Sequence, residues 1–411
     1  MTFLRRVSRQ KEASMNNSTN SPIAEIFNTG FNAYKNTFNS IPLEQYKVVN
    51  AIKACRTEEL GGHIYRCDNC SHEVTLYNSC RNRHCPNCQA FASAQWVQKR
   101  IDELLPVHYF HVVFTIPHQL NPFFLRNKKV CFSLLFKAVS ETIGELTRDP
   151  GRIGGKTGCI LVLHTWGQTL EEHYHIHCII PGGALDEENR RWISTKEDFF
   201  LPVPVMRKMF RGKLLHYFFA AVEKGDIELH GTLRKYEEAD EMKKLRRKLY
   251  ETEWVVYAKP PFASPEQVVK YLGNYTHRIA ITNKRIVKLE DGKVHFRYKD
   301  YKDNSTQKIM VLDLVEFIRR FLLHIVPSGF MRIRHYGFLS NRSQKKLLAM
   351  IREILSETAI QESVTMPEKK RWFEIIEELT GTDPRICPVC KQGRLKPVKE
   401  IEPPERLKKA V

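Results

Sequence analysis

Two Cys-x-x-Cys pairs, Cys67-Asp68-Asn69-Cys70 and Cys85-Pro86-Asn87-Cys88, stand 14 residues apart. Each pair is a tight knuckle that turns two thiolates toward one point, and two knuckles complete a closed tetrahedral site of the zinc type. The spacing therefore predicts a zinc-stapled module over residues 63–89, with Cys67, Cys70, Cys85 and Cys88 as ligands. His72, Cys80 and His84 lie between the knuckles, as alternative ligands or parts of a second site. Four thiolates leave no open position, so such an ion is structural. A third knuckle, Cys387-Pro388-Val389-Cys390, is half a site that has to borrow ligands from elsewhere in the chain or from another subunit. Cys55, Cys131, Cys159 and Cys178 lie among apolar residues and read as small buried hydrophobes.

Charge narrows the partner. Sixty-five Lys and Arg against 46 Asp and Glu leave +19, a field that points to nucleic acid or an anionic membrane surface. No run approaches the roughly 20 apolar residues of a spanning helix. Residues 1–6 (MTFLRR) lack the apolar stretch of a secretory signal, and knuckle cysteines need a reducing compartment. DNA or RNA, not a membrane, is the expected partner, in a cytoplasmic, nucleoid-associated setting.

Residues 1–20 are polar and are expected to be disordered. Residues 21–105 read as a helical and Cys-rich zinc-binding domain, with two helices broken near Pro42 and a later helix stopped by Pro106. An α+β domain follows over 106–305. Its strands are predicted at His108–Ile116, Cys159–His164, Tyr174–Ile180 and Trp254–Ala258, all rich in β-branched and aromatic residues. A long helix is predicted over 122–147, and a helical insertion over about 205–252. Ser264–Tyr275 has clear helix-start signals, with Ser264 at the N-cap, Pro265 at N1 and Gln267 at N3. Residues 278–301 alternate as hairpins with a turn at Asp291-Gly292. Residues 306–411 read as a helical basic region carrying the third knuckle. Gly151–Thr157 (GRIGGKT) imitates a phosphate-binding loop, but its Gly spacing is wrong, so ATP use is not expected.

His173, His175 and His177 alternate along one predicted strand and so point to one face. The preceding strand ends at His164, which a hairpin brings to the His175/His177 side. Three imidazoles with open positions suit a divalent ion able to polarise a phosphate. A lone strand histidine is usually just a satisfied surface or core residue; three and a fourth across a hairpin are not. Tyr271 and Tyr275 stack on one helix face. Taken alone, Val268, Tyr271, Leu272 and Tyr275 follow an ordinary core stripe. A tyrosine is a sensible nucleophile only beside a group that activates the phosphate, which the histidines supply. Arg81 and Arg83 around the knuckles, and Lys270, His277, Arg278, Lys284 and Arg285 around the tyrosines, are candidate DNA contacts. Arg332–Phe338 (RIRHYGF) mixes charge and aromatics in the manner of a single-strand stacking surface.

The runs GGHIYRCDNC, NSCRNRHCPNCQ, LHTWGQTLEEHYHIHCIIPGG and KYLGNYTHRIAITNKRI resemble the two-tyrosine HUH transposases of rolling-circle insertion sequences, the insertion-sequence-ninety-one type. The resemblance covers about Gly61 to Ser340. It implies a small zinc-binding domain followed by an HUH nuclease fold, an antiparallel sheet with flanking helices of ferredoxin or RRM-like kind. It implies Mg²⁺ or Mn²⁺ on His175 and His177, with His164 as the third ligand, and catalytic Tyr271 and Tyr275. The reaction so implied is cleavage and transfer of single-stranded DNA through 5′-phosphotyrosine, without ATP. A rolling-circle replication initiator or relaxase shares that chemistry. A non-catalytic zinc-ribbon regulator, with the tyrosines in the core, is the alternative of another class.

Overall fold

The strand Glu172–Pro181 is buried almost from end to end, which only a central strand covered on both faces achieves. In the computed structural model, which describes residues 21–262, 267–268, 280–357 and 368–404, it sits mid-sheet. The strands in chain order are β1 (Gly62–Cys67), β2 (Glu73–Tyr77), β3 (Tyr109–Thr115), β4 (Gly158–Trp166), β5 (Glu172–Pro181) and β6 (Gly183–Asp186). Next come β7 (Arg191–Ser194), β8 (Val255–Phe262), β9 (Ile286–Glu290), β10 (Lys293–Asp300), β11 (Thr306–Asp313), β12 (Ile333–Gly337) and β13 (Leu395–Ile401). The chain divides into two compact units, one drawn from Met1–Gln98, His277–Ile325 and Lys369–Val411, the other from Lys99–Thr276 and Val326–Glu368.

The second unit is built on an antiparallel five-stranded sheet of order β12-β4-β5-β3-β8. Strand alternation divides its residues cleanly. Phe110, Val112 and Phe114 of β3, Cys159, Leu161 and Leu163 of β4, and Tyr174, Ile176, Cys178 and Ile180 of β5 enter one apolar core. The helices Lys128–Arg148 and Val203–Glu223 supply the other half, through Phe132, Leu135, Phe136 and Val139 from the first and Met206, Phe210, Leu214 and Phe218 from the second. The helical insertion expected at 205–252 is thus a core layer at its start. The long helix expected over 122–147 is two, Asn121–Arg126 and Lys128–Arg148, broken at Asn127. There the Asn127 amide group donates to the Glu228 carbonyl, and its oxygen accepts from the Glu228 N–H. The opposite face of the sheet carries His111, His164, His175 and His177.

The other unit gathers distant stretches. Ser21 caps the helix Pro22–Thr37 by accepting from the Ala24 N–H, and Pro22 pre-sets the first turn. The helices Pro22–Thr37 and Leu43–Ala54 and the helix Leu314–Leu323 bury Phe27, Phe31, Val49, Ile52, Phe317 and Phe321, with Phe27 and Phe321 edge-to-face at 5.4 Å. The meander β9-β10-β11 turns at Asp291-Gly292, where both residues have positive φ (49° and 69°), the two-residue hairpin turn its sequence announces. A separate sheet of order β13-β1-β2 carries the Cys67/Cys70 and Cys387/Cys390 knuckles, while Cys85/Cys88 opens the helix Pro86–Arg100.

Two expectations differ here. Residues 306–411, read as one helical basic region, split between the units and contribute three strands: β11, β12 and β13. Arg332–Phe338, read as a stacking surface for single strands, is instead largely the edge strand β12 paired to β4. Arg332 and Phe338 are buried, and Arg334 lies over the Phe136 and Phe330 rings at 4.4 and 5.0 Å. Its aromatics are committed to packing, which a short basic-aromatic run does not reveal by itself.

Candidate metal centres and nuclease site

The β4–β5 hairpin sets His164 directly opposite His175, and His177 two residues further along the same face. His164, His175 and His177 are 4, 8 and 8% exposed, and their ligand nitrogens all lie within 4.8 Å of one another. His175 Nδ1 is 2.9 Å from the His173 carbonyl oxygen. A carbonyl only accepts, so Nδ1 carries the proton and Nε2 is left as a lone-pair donor. That Nε2 is 3.0 Å from Nε2 of His177. Two nitrogens at about 2.1 Å from one octahedral ion stand about 3.0 Å apart in cis, so the pair fits a small divalent cation. Burial, then the neighbouring His177 and His173, hold His175 well below the ordinary histidine range, which keeps the ring neutral as a ligand requires.

His177 is oriented from behind. His111, on β3 and fully buried, places Nε2 2.8 Å from His177 Nδ1, with the two rings stacked 5.1 Å apart at 14°. That contact fixes which nitrogen of His177 faces His175. Trp166 stacks on His164, centroids 4.5 Å apart. Sequence reasoning passed over both. The available signal was that His111 is a histidine inside an apolar strand, in phase with Val113 and Thr115, which pair opposite His177 and His175. His173, in phase with the others, lies at the exposed start of β5 and offers its carbonyl rather than its ring.

The thiols form two separate groups of four. Cys55, Cys80, Cys85 and Cys88 make one, with Sγ separations of 3.6 Å for Cys55–Cys88 and 3.7 Å for Cys80–Cys88. Cys67, Cys70, Cys387 and Cys390 make the other. The expected single site of Cys67, Cys70, Cys85 and Cys88 is therefore corrected: β1 and β2 carry the first knuckle away from the second, and each meets other partners. Cys55, read as a buried hydrophobe, follows the helix Leu43–Ala54 into the first group. His84 stays outside, its Nδ1 3.3 Å from Asn82 Oδ1. Sulfurs held at about 2.3 Å by a tetrahedral ion stand about 3.8 Å apart, whereas a disulfide needs about 2.05 Å, so the first group fits a four-thiolate zinc.

A family of putative transposases matches residues 158–346, which include the histidine hairpin, and a transposase zinc-binding domain matches residues 26–116. A putative transposase, y4qJ, of Sinorhizobium fredii (strain NBRC 101917 / NGR234) is 45% identical over 91% of this chain and 94% of its own length. The chain belongs to the IS91-type transposase family. The transposase for insertion sequence element IS801 of Pseudomonas savastanoi pv. phaseolicola is 26% identical over 84% of this chain and 82% of its own. No solved structure matches.

As a transposase the chain acts on DNA, and none of its described helices is long and apolar enough to cross a membrane. Of the candidate contacts, Arg81 and Lys284 are exposed, while Arg83 is half-buried. Arg285 donates to the Arg297 carbonyl at 2.7 Å and covers the Phe296 ring, so it holds the β9–β10 hairpin. Tyr271, Tyr275, Lys270, His277 and Arg278 lie outside the described residues, as do Ser264 and Pro265; Gln267 and Val268 are helical.

Proposed function

We propose that this transposase cuts and rejoins single-stranded DNA by transesterification, with Tyr271 and Tyr275 as nucleophiles and His164, His175 and His177 holding Mg²⁺ or Mn²⁺. The observation that carries the proposal is the convergence of three buried imidazoles on one point of the β4–β5 hairpin. When bound, the ion would polarise a phosphate oxygen and offset its developing charge.

The remaining chemistry belongs to side chains. A tyrosine oxygen attacks the phosphorus as its proton is lost; the P–O3′ bond breaks, and the leaving 3′ oxygen takes up a proton. The product is a 5′-phosphotyrosine and a free 3′-OH, so bond energy is conserved and no nucleotide is consumed. Reversal by an incoming 3′-OH transfers the strand, and a second tyrosine allows a second end to be handled. β8 supports this reading, because it ends at Phe262, nine residues before Tyr271, and pairs with β3, the strand that carries His111. Tyr257 lies opposite Val113, on the histidine face, and is 52% exposed, a ring on which a splayed base can stack.

The test is a labelled single-stranded oligonucleotide carrying the element's end, incubated with Mn²⁺. A covalent protein–DNA adduct is expected, absent with EDTA, absent in His175→Ala, and lost in the Tyr271→Phe/Tyr275→Phe double variant. An adduct that persists in the double variant would sink the nucleophile assignment. Cleavage without any adduct would place this chain in a different mechanistic class.

A further inference from the structure

We propose that the transposase carries a second structural zinc ion, held by Cys67, Cys70, Cys387 and Cys390, in a ribbon that only the C-terminal segment completes. The zinc-binding family match ends at residue 116 and so contains half of this group. Cys67 Sγ is 3.6 Å from Cys390 Sγ and Cys70 Sγ is 3.7 Å from Cys387 Sγ, with all four sulfurs within 4.8 Å of one another. These are the edges of a tetrahedron around a thiolate-bound ion and far longer than a disulfide.

The two knuckles are the same turn made twice. In the first, the Ser71 N–H donates to the Cys67 carbonyl at 3.2 Å, and Ser71 has φ +57°. In the second, the Lys391 N–H donates to the Cys387 carbonyl at 3.1 Å, and Lys391 has φ +59°. Each first cysteine then closes its own hairpin: the Cys67 N–H donates to the His72 carbonyl at 2.9 Å, and the Cys387 N–H to the Gly393 carbonyl at 2.8 Å. Backbone N–H groups point at the sulfurs, Cys70 toward Cys67 Sγ at 3.5 Å and Gly393 toward Cys390 Sγ at 3.3 Å, as suits thiolates rather than thiols. The left-handed residue thus falls at the same place in both knuckles, one past the second cysteine.

The halves also dock as a sheet. β13 pairs with β1, placing Cys67 opposite Leu395. The Asp68 carboxylate accepts from the Arg394 N–H at 2.7 Å, while the Asp68 N–H donates to the Arg394 carbonyl at 3.1 Å. Gly393 has no room for a side chain, since a Cβ there would lie 2.3 Å from Cys67 Sγ. Cys70 and Cys387 are 317 residues apart, so the ion ties the two ends of the chain into one module. A chain ending before Cys387 keeps the first thiolate site and lacks the second.

The full-length protein, exchanged with ¹¹³Cd, is expected to give two resonances in the all-thiolate region. The Cys387→Ser/Cys390→Ser variant is expected to keep one of them and to bind one zinc equivalent fewer than wild type. Cys80→Ser/Cys88→Ser is expected to remove the other. A single all-thiolate resonance in the wild type, a measurement that needs no variant, overturns the proposal. So does an undiminished zinc content in Cys387→Ser/Cys390→Ser.

Discussion

At His177 the neighbours matter as much as the ring. His111 fixes its orientation from the buried side, through the 2.8 Å nitrogen contact and the stacked rings. Replacing His111 with Phe keeps the packing volume and removes that restraint. Mn²⁺ affinity is then expected to fall about 10- to 100-fold, while the thermal midpoint of the metal-free protein changes little. Loss of the fold instead of the affinity, seen in a melt beside a Mn²⁺ titration, would make His111 merely structural. His335 on β12 tests the electrostatics. Burial first, and Arg100 second, lower it to about 4. Its folded value lies below the unfolded value of about 6.5, so the unfolded chain binds more protons between the two. The neutral ring's stability is thus fully present above about pH 6.5 and is lost as pH falls toward 4, on the order of 2 kcal/mol by pH 5. Urea midpoints at pH 7 and pH 5 should converge in His335→Gln; an unchanged difference would refute the assignment. His175 adds a loss of the same sign, so the convergence is partial.

Among the elements, β12 best shows how a local residue controls a distant pairing. It arrives from beyond β11 to close the edge of the central sheet against β4, and it ends at Gly337 with φ +63°. A Cβ at Gly337 would lie 1.7 Å from the Thr157 carbonyl oxygen, which backbone cannot yield cheaply. Gly292 has a similar φ of +69° but open space around it. Gly337→Ala is therefore expected to destabilise by roughly 3 kcal/mol or more, and Gly292→Ala by only about 1 kcal/mol. Chemical denaturation of both variants checks this; equal losses would show that backbone strain alone governs the two sites. The same element explains why Arg332–Phe338 misleads as a sequence. Its charges and rings look like a binding surface until Arg334 is found lying over Phe136 and Phe330.

For the molecule as a whole, the +19 charge sets how it meets DNA. If six to ten phosphates are neutralised, affinity for single-stranded oligonucleotides should fall roughly 300- to 10⁴-fold between 50 and 200 mM salt, less for fewer contacts. A flat salt dependence in a titration would mean the cations serve the fold instead, as Arg285 already does. Alternation alone was enough to find the histidine face, because a strand's period of two fixes which side chains share a side. The hairpin position of His164 followed from the eight residues, 165–172, between it and His173. Turn chemistry at Asp291-Gly292 was equally local, and equally legible. Thiol partnership was not. The knuckles Cys67/Cys70 and Cys85/Cys88 are adjacent in sequence, yet one closes with Cys55 and Cys80 and the other meets a knuckle more than 300 residues away. His111 was hidden for the same reason, since its role depends on β3 lying beside β5. Residue type and short-range period determined which chemistry this chain carries: thiolate sites, an imidazole site and a polyanionic partner. Only the long-range strand pairings decided which side chains share each site, because ligand groups and strand neighbours are set by contacts that no local rule encodes.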